Sequence, residues 1–141
     1  MELKDWLQIL VTIIISGTAL WISLQQYKVA RAKVRLDALQ ERYSAFTALN
    51  KLLESAVSKE CKNLDKKLFD DYYIASTKAR FLFDENIANY FQEIRQAITS
   101  TESYNKNRLQ GMDQKYDKML YLAEQLDKKF EIFKPYLKMD I

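Results

Sequence analysis

The sequence has no histidine, one cysteine, two glycines and one proline among 141 residues. Each scarcity removes a class of function. Without imidazole, and with Cys61 as the single thiol, zinc, haem and iron–sulfur centres lack ligands. Triads that use an imidazole base are excluded. A lone cysteine makes no intramolecular disulfide, so the fold does not need an oxidising compartment. Two glycines cannot furnish the phosphate-cradling G-x-G-x-x-G or G-x-x-x-x-G-K loops, and neither pattern occurs. A β-rich fold needs many turns, so the same scarcity points to helices. No cofactor is implied.

What the sequence does have is a long run without charge. No charged side chain occurs between Asp5 and Lys28. Residues 6–24 read WLQILVTIIISGTALWISL. At about 1.5 Å per residue this run nearly spans a hydrocarbon core of about 30 Å, and residues 25–27 extend it. Trp6, Trp21 and Tyr27 lie near its ends, where amphipathic rings favour the interface. The residues before it (Glu2, Lys4, Asp5) carry no net positive charge, and the run is too long for a signal-peptide core. Residues 1–27 are therefore expected to be a transmembrane anchor, not a cleaved signal.

Charge then sets an expected orientation. Lys28, Arg31, Lys33 and Arg35 follow the run at once, while Lys4 is the only cationic side chain before it. The positive-inside rule places the N-terminus outside and residues 28–141 in the cytoplasm, at the inner (plasma) membrane. Residues 28–42 carry a net charge of +3, equal to that of the whole chain. This juxtamembrane cluster reads as a topology signal and a contact for anionic headgroups of the lipid bilayer, and no DNA or RNA duplex is expected as a partner.

The run also has an internal pattern. At about 100° per residue, Gln8, Thr12, Ser16, Ala19 and Ser23 share one arc, with Gly17 opposite. Hydrocarbon does not satisfy amides and hydroxyls, so this polar membrane face is expected against another helix, with a water-lined pore as the second reading. Hydroxyls bonded to their own i−4 carbonyls would leave the pattern without meaning.

No proline precedes Pro135 and no glycine lies between Gly17 and Gly111, so the first helix is expected to run unbroken from the anchor into the soluble part. Its apolar residues form heptads, with Val29, Leu36, Tyr43, Asn50 and Val57 at a and Ala32, Leu39, Phe46 and Leu53 at d. Asn50 at an a position either fixes register or sits at a bundle edge. A second stripe of Ala45, Leu49, Leu52 and Ala56 implies burial on two sides. A second helix is expected from residues 63–65, with Leu64, Leu68, Tyr72, Ala75, Ala79 and Leu82 inward. Asp84 reads as the N-cap of a third, with Glu85 in its first turn and Ile87, Tyr90, Phe91, Ile94 and Ile98 inward, ending near Thr99. Residues 100–111 read as a loop or a frayed lead into a fourth helix. That helix has the stripe Met112, Tyr116, Met119, Ala123, Leu126, Phe130 and Phe133, and Pro135 stops it. The fold class is all-α: an N-terminal transmembrane helix continuous with a cytoplasmic antiparallel helical bundle of about four helices.

Chemistry has few candidates. Asp70 with Asp71, and Asp84 with Glu85, are adjacent on helices and point about 100° apart, so neither pair is a natural acid–base dyad. Cys61 lies near Lys59 and Lys62, cations of the kind that lower a thiol pKa, but no base accompanies it, so it reads as an idle thiol at a helix junction. The most informative stretch is residues 78–94, KARFLFDENIANYFQEI. Its plain reading is a packed helix–helix corner in which Arg80 pairs with Asp84. Its sharper reading is an anion-binding site for a nucleotide second messenger, with Lys78, Arg80 and Arg95 on phosphate and Tyr72 and Tyr73 on a base.

A single N-terminal span, the basic stalk at residues 35–43 (RLDALQERY) and the KARFLF corner resemble a loose group of small bacterial single-pass membrane proteins of unknown function. The resemblance covers about residues 3–94 and brings no catalytic residue. In topology the chain is also similar to membrane effectors of anti-phage defence, including those gated by cyclic oligoadenylates in type III CRISPR systems. That similarity implies a homo-oligomeric effector or sensor. A passive anchor that docks a soluble partner is the alternative, and no enzyme is expected, because no nucleophile–base–stabiliser set is present.

Overall fold

A computed structural model gives the fold over residues 2–107 and 112–138. Four α-helices follow one another among the described residues: α1 (Leu3–Ser58), α2 (Lys66–Leu82), α3 (Glu85–Lys106) and α4 (Met112–Phe133). The chain is all-α, as its lack of turn formers implies. It divides into two units, Met1–Asp37 and Ala38–Ile141.

The first unit is helical from Leu3 onward. One stretch of α1 is long and apolar enough to cross a membrane, and none of that stretch is buried against protein. Its exposed side chains include Trp, Leu, Ile and Val, which water does not favour and hydrocarbon does.

The second unit is an antiparallel bundle. The second half of α1 contributes Ala45, Phe46, Leu49, Leu52, Leu53 and Ala56 to its core. The second expected stripe is right throughout, and the heptad stripe is right in part. Ala45, Leu49, Leu52 and Ala56 point inward, joined by the d residues Phe46 and Leu53. The a residues sit at the margin: Tyr43 is 48% exposed, and Asn50 and Val57 are half-buried. Asn50 donates to Glu54 Oε1 at 3.0 Å, as a bundle-edge residue does.

Caps fix the next two helices. Asp65 accepts from Lys67 N at 3.0 Å to start α2. Asp84 accepts from Ile87 N at 3.0 Å to start α3, the role expected from sequence. Two corrections concern α3 and α4. First, α3 does not end at Thr99 but continues to Lys106. Thr101 is fully buried and returns its hydroxyl to Ala97 O at 2.8 Å, which lets a polar residue sit in the helix interior. Residues 108–111 of the expected loop lie outside the described residues. Second, the inward face of α4 is rotated from the expected stripe. Leu122, Gln125, Lys129 and Phe133 are buried, whereas Met112, Tyr116 and Phe130 are exposed. The Lys129 stem lies inside while its ammonium reaches Glu54 Oε1 at 3.8 Å, so a long charged side chain fills a core position.

Phe133 ties the bundle together. Its ring lies 5.1 Å from Phe46, 5.4 Å from Phe83 and 6.0 Å from Phe91, in the tilted and edge arrangements that aromatic quadrupoles prefer.

Candidate functional site

Within the first unit, the polar face keeps much of its hydrogen bonding to itself. Thr12 Oγ1 donates to Gln8 O at 2.8 Å, and Ser23 Oγ to Ala19 O at 2.9 Å. These hydroxyls are satisfied by the preceding turn, so they need neither a partner helix nor water. Gln8, Ser16 and Ala19 share the exposed surface with them. A Cβ added at Gly17 would meet nothing within 4 Å. Lys28, Arg31, Lys33 and Arg35 are all exposed, and among the described residues none of them forms an ion pair.

In the bundle, the five candidate anion-binding residues do not converge. Tyr72 is the clear correction. It is 1% exposed, its hydroxyl donates to Phe91 O, and its ring packs 5.3 Å from that of Phe91. Burial pushes its hydroxyl well above the ordinary tyrosine range. No face is left for a base to stack on. Tyr73 is exposed, but the Arg95 guanidinium lies 5.6 Å from its ring centre, a cation–π contact between α2 and α3. Lys78 turns the other way and binds Glu41 Oε2 of α1 at 2.9 Å. Lys78 and Arg95 therefore line separate depressions, one between α1 and α2 and one between α2 and α3. Arg80 is exposed and forms no ion pair among the described residues.

The expected Arg80–Asp84 pair is also replaced. Asp84 Oδ2 accepts from the hydroxyl of Tyr136. That bond, with the Ile87 amide, holds the Asp84 carboxyl below its usual value and raises the Tyr136 hydroxyl. Sequence reasoning missed Arg42, which organises this corner. Its Nε donates to Leu82 O at 2.8 Å, and its Nη1 to Tyr136 O at 3.3 Å. One guanidinium thus joins the end of α2 to the segment after α4, serving carbonyls that a helix end leaves open. Tyr43 adds a bond from its hydroxyl to Leu137 O at 3.3 Å. The only sequence signal was the position of Arg42 inside the RLDALQERY stretch.

Cys61 sits in the connection from α1 to α2. Glu60, Cys61 and Asn63 all have positive φ, between 48° and 55°. Side chains with a Cβ pay for that conformation, and Asn105 of α3 braces it. Its amide donates to Glu60 O at 2.9 Å and to Cys61 O at 3.3 Å. The thiol is 1% exposed and rests 4.0 Å from Met119 Sδ. Burial raises its pKa from 9.0 to about 11, as suits the idle thiol expected at this junction: Cys61 is a core side chain.

No three metal-ligating side chains cluster among the described residues, and Asp70, Asp71, Asp84 and Glu85 are all exposed. What the bundle offers is surface: the α1–α2 depression and an apolar flank on α4. Comparison with protein-family models, curated proteins and solved structures gives no match.

Proposed function

We propose that this chain is a non-enzymatic single-pass membrane protein that acts by association. The N-terminal span anchors it in the inner membrane with its N-terminus outside. The cytoplasmic bundle serves as an oligomeric effector or sensor that controls the membrane assembly. The observation that carries this reading is α1. One helix holds both the uncovered apolar stretch that suits hydrocarbon and six core residues of the bundle. The basic cluster at residues 28–35 supports the orientation. The composition supports the absence of bond chemistry, since no imidazole is available.

The topological likeness to anti-phage membrane effectors belongs to this reading, including a response to an anionic nucleotide. Arg80 and Arg95 are the cations that remain for such a ligand, because Lys78 is engaged and Tyr72 is buried. The test is the mass of the full-length protein in detergent, with and without cyclic oligoadenylates, together with growth on overexpression. Self-association and growth arrest are expected. A monomer that leaves growth unchanged overturns the reading, and an oligomer indifferent to the nucleotide removes the ligand alone.

The second reading, an anchor that docks a soluble partner, is favoured by α4. Met112, Tyr116, Leu120 and Phe130 are each about half exposed or more and fall on one side of the helix. Exposed apolar rows of this kind mark interaction surfaces. Replacing residues 6–24 by an unrelated span separates the two readings: an anchor keeps its function, an effector loses it.

A further inference from the structure

We propose that two copies of this chain pair through the groove between the second half of α1 and α2, about a two-fold axis running along these helices. This rests on the association reading above and names its surface. The groove is an open depression of about 350 Å³. Its α1 wall is made of Ser44, Ala45, Thr47 and Ala48, and its α2 wall of Ala75 beside Ile74. Ile74 is 54% exposed. The depression is thus a hollow with a bulky aliphatic side chain standing at its rim.

The charges around it make the surface complementary to itself. Glu41 and Lys78 mark one end, bonded to each other at 2.9 Å. Lys51 and Asp71 mark the other end, and among the described residues neither takes part in an ion pair. Each end therefore carries one cation and one anion, on opposite helices. A two-fold along the helices keeps every level opposite itself and sets α1 of one copy over α2 of the other. Glu41 then faces the partner's Lys78, and Lys51 faces the partner's Asp71. All four encounters join unlike charges, and Ile74 of each copy enters the hollow of the other. Like charges across an interface are what exclude wrong pairings, and this arrangement has none.

Confinement to one membrane raises the effective concentration of copies, so a small interface suffices.

The test uses full-length protein in detergent, with the dimer fraction measured by sedimentation. Lys51→Glu and Asp71→Lys are each expected to weaken pairing about tenfold or more, by setting like charges together. An equimolar mixture of the two variants is expected to recover wild-type pairing. In the mixed dimer the two substituted sites face each other with opposite charge, and so do the native Lys51 and Asp71. A purely internal effect of either substitution cannot produce that recovery. Both positions are exposed, and thermal melts of each variant report the fold. If wild type assembles and ignores both substitutions, or if the mixture does not recover, this surface is wrong while association stands. If wild type is monomeric, the association reading falls with it.

Discussion

Asp84 does three jobs with one carboxylate: it caps α3, binds Tyr136 and holds the α2–α3 corner to the segment after α4. Its pKa is lowered, first by the Tyr136 hydroxyl and then by the Ile87 amide. A lowered folded value means that the unfolded chain binds more protons in the window between the two pKa values. The contribution is therefore complete above the unfolded value of about 4 and is lost as pH falls through the folded one. Denaturant melts between pH 6 and pH 2 should show stability declining below about pH 4, with a shallower decline in Tyr136→Phe. Equal slopes would remove the bond from the account.

Cys61 gives a second prediction at this scale. With its pKa raised from 9.0 to about 11, the thiolate fraction near pH 8 falls about 100-fold relative to a free thiol. Alkylation by iodoacetamide should slow at least that much in the folded protein and recover in urea. The sign for stability is opposite to that of Asp84. The contribution is present below about pH 9 and is lost as pH rises toward 11. An alkylation rate in the folded state equal to that in urea would mean that the thiol is not buried.

Among the elements, α4 is the one whose orientation the sequence misstated, and it allows a direct check. Leu122→Ala should cost about 2–4 kcal/mol, because Leu122 is fully buried. Tyr116→Ala and Met112→Ala should change stability by no more than about 0.5 kcal/mol, because both side chains are exposed. Urea titrations decide, and the opposite order would restore the expected stripe. The misreading has a physical cause. Seven apolar residues at helical spacing outweighed Gln125 and Lys129 in the pattern, yet the long stem of Lys129 fills a core position and its ammonium pairs with Glu54. Apolar periodicity sees residue type and not the atoms along a side chain. The same limit hid the reach of α3, where Thr101 satisfies its own hydroxyl. Existence and order of the helices were legible, because capping aspartates and 3.6-residue spacing are local signals. Arg42 was illegible, because carbonyls forty and ninety-four residues away define its role. Of the candidate anion site, the presence of cations near the corner was readable, but which helix each would face was not.

For the whole molecule, the uncharged apolar stretch of α1 is the feature that composition averages conceal. The exposed apolar stretch of α1 predicts that the full chain sediments with membranes and is released by detergent but not by high salt or carbonate. Removing residues 1–27 should leave a soluble protein that still melts cooperatively, since the bundle's core lies wholly within Ala38–Ile141. A truncated chain that aggregates or melts without a transition would show that the bundle needs residues 1–27.

The braced turn between α1 and α2 bears on the order in which the chain folds. Three residues with side chains adopt left-handed backbone there, at about 1 kcal/mol or more each for Glu60 and Cys61 and less for Asn63, whose short amide tolerates it. The carbonyls of two of them are held by Asn105, more than forty positions downstream. The α1–α2 hairpin therefore closes against strain until α3 docks, whereas α2 and α3 meet at a short corner that Asp84 caps locally. The nucleus should form around α2, α3 and Phe91, with the first hairpin completed late. Asn105→Ala would then speed unfolding and hardly slow folding, and stopped-flow chevrons would show that asymmetry. The link that sequence proximity makes easiest to draw is among the last to be made.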